Sequence, residues 1–173
     1  PPRLQAKYFK LQPHKVLPNY DAYVWIDGNI EVTNPNFVWQ MTESLNRTIR
    51  IQKHHERSTI KEEVDFILSS DNPYLTTRYG NQPLRQEYEY YLNAGMPPNT
   101  PLFSCNIFSW DNSIGNKYWF NEWWNLVLQW SWFDQSAFSY LHFKYANSVE
   151  TVDFGPMLNN DYFVLHPHDN WKQ

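Results

Sequence analysis

The run Tyr23-Val24-Trp25-Ile26 constrains this chain more than any other segment. Four consecutive large apolar residues, all strand formers, cannot line one face of an amphipathic strand, so they predict a strand covered on both faces. The run stops abruptly at Asp27-Gly28-Asn29, a polar turn at the strand's carboxyl end. A strand covered on both sides needs helices or a second layer around it, and the remainder of the sequence supplies helix-period segments.

Leu4, Tyr8 and Leu11 fall at i, i+4 and i+7 and predict an amphipathic helix over residues 3 to 12, stopped by Pro13. Lys7 and Lys10 share one stripe of it. Thr59 and Glu62 form a capping-box pattern, and Ile60, Val64, Ile67 and Leu68 give the apolar face of the helix that follows. Leu84, Tyr88, Tyr91 and Leu92 repeat that spacing up to Gly95, with Pro97 and Pro98 beyond. Residues 102 to 110 read as a second buried strand carrying Cys105-Asn106. A Trp-dense helix over 117 to 130 follows, and another opens at Phe133-Asp134-Gln135-Ser136, where Asp134 is a natural N-cap. Phe163-Val164-Leu165 is a last short strand running into His166-Pro167-His168-Asp169. The polar stretch 69 to 83 reads as a long surface loop. Alternating strands and helices without repeat or linker predict one α/β domain over residues 1 to 173.

Composition excludes several classes. With 9 Trp, 12 Tyr and 11 Phe, aromatics make up 18% of the chain, ample apolar area to offset conformational entropy, so disorder is excluded. A net charge of −4 argues against nucleic acid as the main partner. The mean hydropathy of −0.69 and the lack of a long uncharged apolar stretch predict no membrane span. No secretory signal is visible, and the first residues, Pro-Pro-Arg without Met, predict a segment upstream. The single Cys105 cannot form an intrachain disulfide, which favours a reducing compartment or a fold large enough not to need one.

Four groups of residues carry candidate chemistry. Asp27-Gly28-Asn29 is either an ordinary turn or a carboxylate and an amide placed to hold a hard divalent cation and, through it, a diphosphate. His166 and His168 are either solvated or ligands completing that coordination. Asp134 is either a plain helix cap or a carboxylate beside an aromatic wall, able to orient or deprotonate a sugar hydroxyl, with Gln135 hydrogen-bonding the same sugar. Lys7 and Lys10 are either a solvated helix face or the neutralising charge for a diphosphate. The adjacent His54-His55 pair is a weaker candidate. Of Trp119, Trp123, Trp124 and Trp130, some must face the core, and one left exposed would stack on a pyranose.

In order, Ala6-Lys7-Tyr8-Phe9-Lys10, Pro13-His14-Lys15, Tyr20 to Ile30, Lys53-His54-His55-Glu56-Arg57, Cys105-Asn106-Ile107, Trp123-Trp124 and Asp134 to Phe138 cover most of the chain. Together they resemble the glycosyltransferase-like domain of plant mucilage and pollen proteins, also found in bacteria and viruses. The layout is similar to the wider GT-A class, especially glycogenin-like enzymes, where a basic helix precedes a strand ending in Asp-x-Asp.

The resemblance implies a GT-A-like (Rossmann-like) fold: a mixed, mostly parallel sheet flanked by helices, with its first strand, which holds the nucleotide base, lying upstream of residue 1. It implies transfer of a sugar from a nucleotide-sugar donor of the uridine diphosphate type to a carbohydrate hydroxyl, assisted by manganese or magnesium. Asp27, Gly28 and Asn29 would occupy the metal and diphosphate position, with Asn29 in place of the second acid. Lys7 and Lys10 would touch the donor, Cys105 and Asn106 would line the sugar pocket, and Asp134 and Gln135 would face donor sugar or acceptor. Asp134 would be the general base if the enzyme inverts and would position the acceptor if it retains. His166 or His168 would match a C-terminal metal histidine. Bacterial or viral relatives place such a chain in the cytoplasm, and a longer plant chain enters the Golgi lumen. Two rivals stand beside this reading: a metal-dependent hydrolase built from His166, His168, Asp169 and Asp27, and a non-catalytic carbohydrate-binding protein.

Overall fold

The computed structural model describes residues 2–145, 149–156 and 160–166. The chain opens with α1 (Pro2–Leu11) and the short α2 (Pro13–Val16), then forms β1 (Ala22–Ile26), β2 (Ile30–Val32), α3 (Asn36–Thr42) and β3 (Ile49–Lys53). Three helices follow, α4 (Ile60–Ser69), α5 (Pro73–Tyr79) and α6 (Leu84–Asn93), then β4 (Phe103–Asp111), α7 (Ile114–Gln129), α8 (Asp134–Lys144), β5 (Val149–Val152) and β6 (Phe163–Leu165).

Four strands form one sheet in the order β1-β4-β3-β5, and β2 pairs with β6 in a separate antiparallel ladder. The fold is mixed α/β with a mixed sheet flanked by helices. Strands β1, β3 and β5 run in one direction and β4 runs against them, so two of the three ladders are antiparallel and only β3 with β5 is parallel. The expected mostly parallel sheet therefore holds for strand direction but not for pairing. Apolar patterning reports burial and not direction, which is why the inverted strand left no mark in the sequence.

The strand covered most completely is β4, not β1. All of its residues from Phe103 to Trp110 are buried except half-buried Asn106, whereas in β1 only Tyr23 is buried, because β1 lies at the sheet edge. On one face of the sheet a large cluster joins Phe103, Phe108 and Trp110 to Phe120, Trp123 and Phe138 of α7 and α8. On the other face, Ile107 packs with Phe37 and Met41 of α3 and with Phe154 and Phe163.

A register shift sits inside β4: Ile51 of β3 faces Phe108, but the next residue, Gln52, faces Ser104. Cys105, Asn106 and Ile107 thus have no partners in β3 and form a bulge. Because of it, Phe103 and Phe108, an odd number of residues apart, both enter the large cluster.

The helices follow their sequence signals with a few differences. Thr59 Oγ1 accepts from Glu62 N (3.3 Å) and Glu62 Oε2 accepts from Ser58 N (2.7 Å), so the capping pattern at α4 forms, while Leu68 is exposed. Pro13 ends α1 but also starts α2. The stretch 69 to 83 is not a plain loop, since Asn72 caps α5 by accepting from Tyr74 N (2.9 Å) and Pro73 occupies its first turn. No residue of α5 is buried, so it shows no apolar stripe. Trp119 and Trp123 are core residues and Trp124 and Trp130 are half-buried. No helix of the described residues is long and apolar enough to cross a membrane.

Glu87 of α6 is fully buried. Its carboxylate accepts from Tyr91 Oη (2.8 Å) and Ser131 Oγ, and Ser131 Oγ accepts in turn from Phe133 N (3.2 Å). With Gln82 Oε1 accepting from Trp132 N (3.1 Å), this network fixes the loop that delivers Trp132 and Asp134. Burial pushes the Glu87 pKa from about 4.5 up to about 8.

Between those two values the native state holds a proton that the unfolded chain has released, so stability falls as pH rises, by about 1.4 kcal/mol per pH unit for one group. Glu87→Gln keeps the shape and removes the titration. Urea unfolding from pH 5 to pH 8 should show the wild type losing stability relative to this variant; parallel profiles would place the Glu87 proton elsewhere.

Candidate functional site

The site begins where β1 ends. Asp27 N donates to the carbonyl of Asn106 in the β4 bulge (2.9 Å), and Asp27 Oδ1 accepts from Trp25 Nε1 (2.6 Å), so backbone and carboxylate are both anchored. A Cβ added at Gly28 would meet nothing within 4 Å, so packing within the chain does not demand glycine there. Asn29 and His166 are stapled together, His166 N to Asn29 O (2.8 Å) and Asn29 Nδ2 to His166 O (2.9 Å), in continuation of the ladder between β2 and β6.

Lys7 and Lys10 are not a solvated face. Three residues apart on α1, they converge on one buried carboxylate: Lys7 Nζ lies 2.5 Å and Lys10 Nζ 2.8 Å from Asp134 Oδ2. Lys10 also reaches Asp27 Oδ1 at 3.5 Å and lies over the rings of Trp25 and Phe108. Lys10 is 5% and Asp134 6% exposed.

Burial would raise the Asp134 carboxyl, but Lys10 and Lys7 outweigh it and hold the group well below the usual carboxylate range. Burial would lower the Lys10 pKa, but Asp134 and Asp27 raise it above the ordinary value. For Lys7 burial prevails, helped by the charge of Lys10, and its pKa drops to about 8.

Asp134 therefore differs from the expected helix cap. The N-cap of α8 is Phe133, and Asp134 occupies the first helical turn with its carboxylate turned to the lysines. A carboxylate locked between two ammonium groups is a poor proton acceptor, so Asp134 builds the site by holding α1 against α8. Trp123 Nε1 donates to its carbonyl (3.0 Å) and fixes the start of the helix.

Beside this cluster opens a pocket of about 140 Å³ walled by Arg3, Lys7, Lys10, Asp27, Arg78 and Trp132. Four cationic side chains face one carboxylate on the wall and the buried Asp134 behind it. In a chain of net charge −4, this is a local excess of positive charge suited to an anion. The Arg78 guanidinium is oriented by Tyr74 Oη and lies against the rings of Tyr74 and Tyr79.

Arg3, Arg78 and Trp132 carried no sequence signal, since Arg78 stood in an expected loop and Trp132 outside the expected helix. Cys105 is 1% exposed, its thiol pushed up by burial, and it does not line this pocket as expected. Asn106 contributes its carbonyl to Asp27, and Gln135 is half-buried away from the wall.

Among the described residues the donors for a divalent cation do not converge. No group of three His, Cys, Asp or Glu side chains able to hold a metal occurs among the described residues. Asp27 Oδ1 is engaged by Lys10 and Trp25, and the His166 ring pairs with Glu31 Oε2 (2.8 Å). His168 and Asp169 lie outside the described residues. The expected set of Asp27, Asn29 and His166 thus does not fit a metal site as arranged.

Over 162 aligned residues the chain is 28% identical to the "Probable hexosyltransferase MUCI70" of Arabidopsis thaliana, a match covering 83% of this chain and 26% of the relative. The chain thus spans about a quarter of that relative's length. No family model matches the chain, and no solved structure does. The similarity supports a glycosyltransferase-like family.

The ion cluster makes a stability prediction. Asp134→Asn leaves Lys10 buried with only the longer contact to the half-exposed Asp27, which should cost about 3–5 kcal/mol in urea unfolding. Adding Lys10→Met should recover much of that loss. A single variant as stable as wild type would show that the cluster does not hold α1 to α8.

Proposed function

We propose that this chain is a glycosyl-transfer domain whose cationic pocket receives the diphosphate of a nucleotide-sugar donor of the uridine diphosphate type. The transferred group in this reading is a hexose and the acceptor a carbohydrate hydroxyl. The observation that carries the reading is the convergence of Lys7, Lys10, Arg3 and Arg78 at the carboxyl end of β1, in an otherwise acidic chain. The similarity to a plant protein named as a hexosyltransferase points the same way.

Chemically, glycosyl transfer leaves negative charge on the departing diphosphate as the anomeric bond breaks. Preorganised cations in a partly dry pocket stabilise that charge most where it develops. Lys10, held by Asp27 and Asp134, is a fixed charge. Lys7 and Arg78 are the groups we assign to the phosphates, Arg78 through its planar fork. Trp132 offers an aromatic face to the pyranose. The neutralising charge in this reading comes from side chains, since among the described residues the donors around Asp27 do not converge.

The pocket is too small for a whole nucleotide sugar. Along the outer side of β1, an edge strand of its sheet, runs an apolar groove of about 360 Å³ that shares Lys10 and Trp25 with the pocket and includes Phe9, Leu17 and Tyr20. In this reading the fold is GT-A-like, and the strand expected upstream adds there and encloses the nucleoside.

Calorimetric titration with inorganic pyrophosphate and with uridine diphosphate tests the reading. Both should bind, in chelator as well as in manganese. Arg78→Ala should weaken pyrophosphate at least tenfold, about 1.5–3 kcal/mol for a charged hydrogen bond, with the unfolding midpoint unchanged. Affinity should fall from pH 7 to pH 9, because Lys7 loses its charge as pH rises through about 8. Failure of both anions to bind would overturn the proposal, and binding only in manganese would overturn the role given to the side chains.

A further inference from the structure

Strands β1, β3 and β5 run the same way, so the segments that follow them leave the sheet at the same edge as the Asp27 turn. After β3 come His54, His55, Glu56 and Arg57, and after β5 come Asp153, Phe154 and Gly155. Between them lies a cavity of about 360 Å³ lined by Gln52, Lys53, His54, His55, Thr151 and Asp153, within the size range of ligand clefts, about 300–1,000 Å³. Nothing in the donor reading uses it.

We propose that this cavity is a second binding site, specific for a neutral saccharide, and that it seats the acceptor. The acceptor role rests on the glycosyl-transfer reading; the saccharide site itself rests on the groups that line the cavity.

Gln52 is 6% exposed, and its Nε2 donates to the Gly155 carbonyl (3.0 Å). That bond fixes the amide's orientation and leaves Oε1 buried without a hydrogen-bond partner among the described residues. An orphaned buried acceptor is costly, and a donor supplied by a ligand removes the cost.

His54 supplies the complementary group. Its Nδ1 accepts from Glu56 N (3.3 Å) and Arg57 N (3.1 Å), which places the ring proton on Nε2. Burial, with the charge of Arg57 and the neighbouring His55 ring, lowers its pKa to about 4, so it stays a neutral donor at physiological pH. The His55 ring stacks on it (5.2 Å between centroids, 17° between planes).

A sugar hydroxyl both donates and accepts, which matches one fixed acceptor and one fixed neutral donor. At the rim, Lys53 and Asp153 carry opposite charges, so the site lacks the cationic excess of the Arg78 pocket. Nor is the histidine pair a metal centre, since Nδ1 of His54 is taken by backbone amides.

Nuclear magnetic resonance of the ¹⁵N-labelled chain tests this. Cellotetraose, mannotetraose and galactotetraose are titrated separately, then inorganic pyrophosphate. At least one tetrasaccharide should shift the Gln52 side-chain amide, the His54 ring nitrogens and the Gly155 amide, and pyrophosphate should leave these unmoved. Gln52→Met should weaken the saccharide at least tenfold. His55→Ala, at a more exposed position, should weaken it several-fold and serves if the Gln52 variant unfolds.

Absence of shifts at these residues with all three tetrasaccharides, or shifts confined to Trp132, would overturn the inference. Saccharide shifts without any pyrophosphate or uridine diphosphate binding would uphold the site and remove its acceptor role. Pyrophosphate binding with a silent cavity would overturn this inference alone.

Discussion

Buried charge must be balanced where it is buried, and in this molecule that requirement falls on Asp134. Its carboxylate reaches α8 through its own backbone and α1 through Lys7 and Lys10, and Lys10 extends the contact to Asp27 at the end of β1. Two N-terminal elements and the distant α8 are thereby held around one point. Because a broken buried pair costs far more than an intact one contributes, the cluster works as a registration device and sets where the cationic pocket can form.

The bulge in β4 is the backbone counterpart of that cluster. By releasing Cys105, Asn106 and Ile107 from β3, it lets residues of both parities feed the aromatic core, while on its other side the Asn106 carbonyl keeps the regular register with β1 and holds Asp27. The neighbouring loop that carries Trp132 is fixed in a similar way, by the buried Glu87 and Ser131.

Much of this was legible in the sequence, and the limits have physical causes. The run Tyr23 to Ile26, the capped helix at Thr59, the Tyr88 and Tyr91 stripe and the strand Phe163 to Leu165 stood out because apolar periodicity is a local property. Strand β3 did not, since Arg50 and Gln52 are polar residues buried inside it; the Arg50 terminal nitrogens pair with the Gln40 carbonyl and Glu150. Nor did α5, which buries nothing. The Lys7 and Lys10 stripe was visible, but its partner Asp134 offered a local explanation as a helix cap, and no local signal distinguishes a cap from a distant ion pair. Arg78 and Trp132 reach the pocket only through tertiary packing.

Asn29 and His166 exchange two hydrogen bonds across 137 residues of chain, at the turn that begins the candidate site. Contacts so distant in sequence form late, because the intervening chain must first be ordered. On the ribosome, the Asp27 turn would emerge before its neighbour and wait for the residues between them to be synthesised. The geometry of the turn therefore depends on a segment made much later: a truncated chain lacking residues 163 to 166 would carry Asp27, Lys7 and Lys10 yet present them around an unfinished turn.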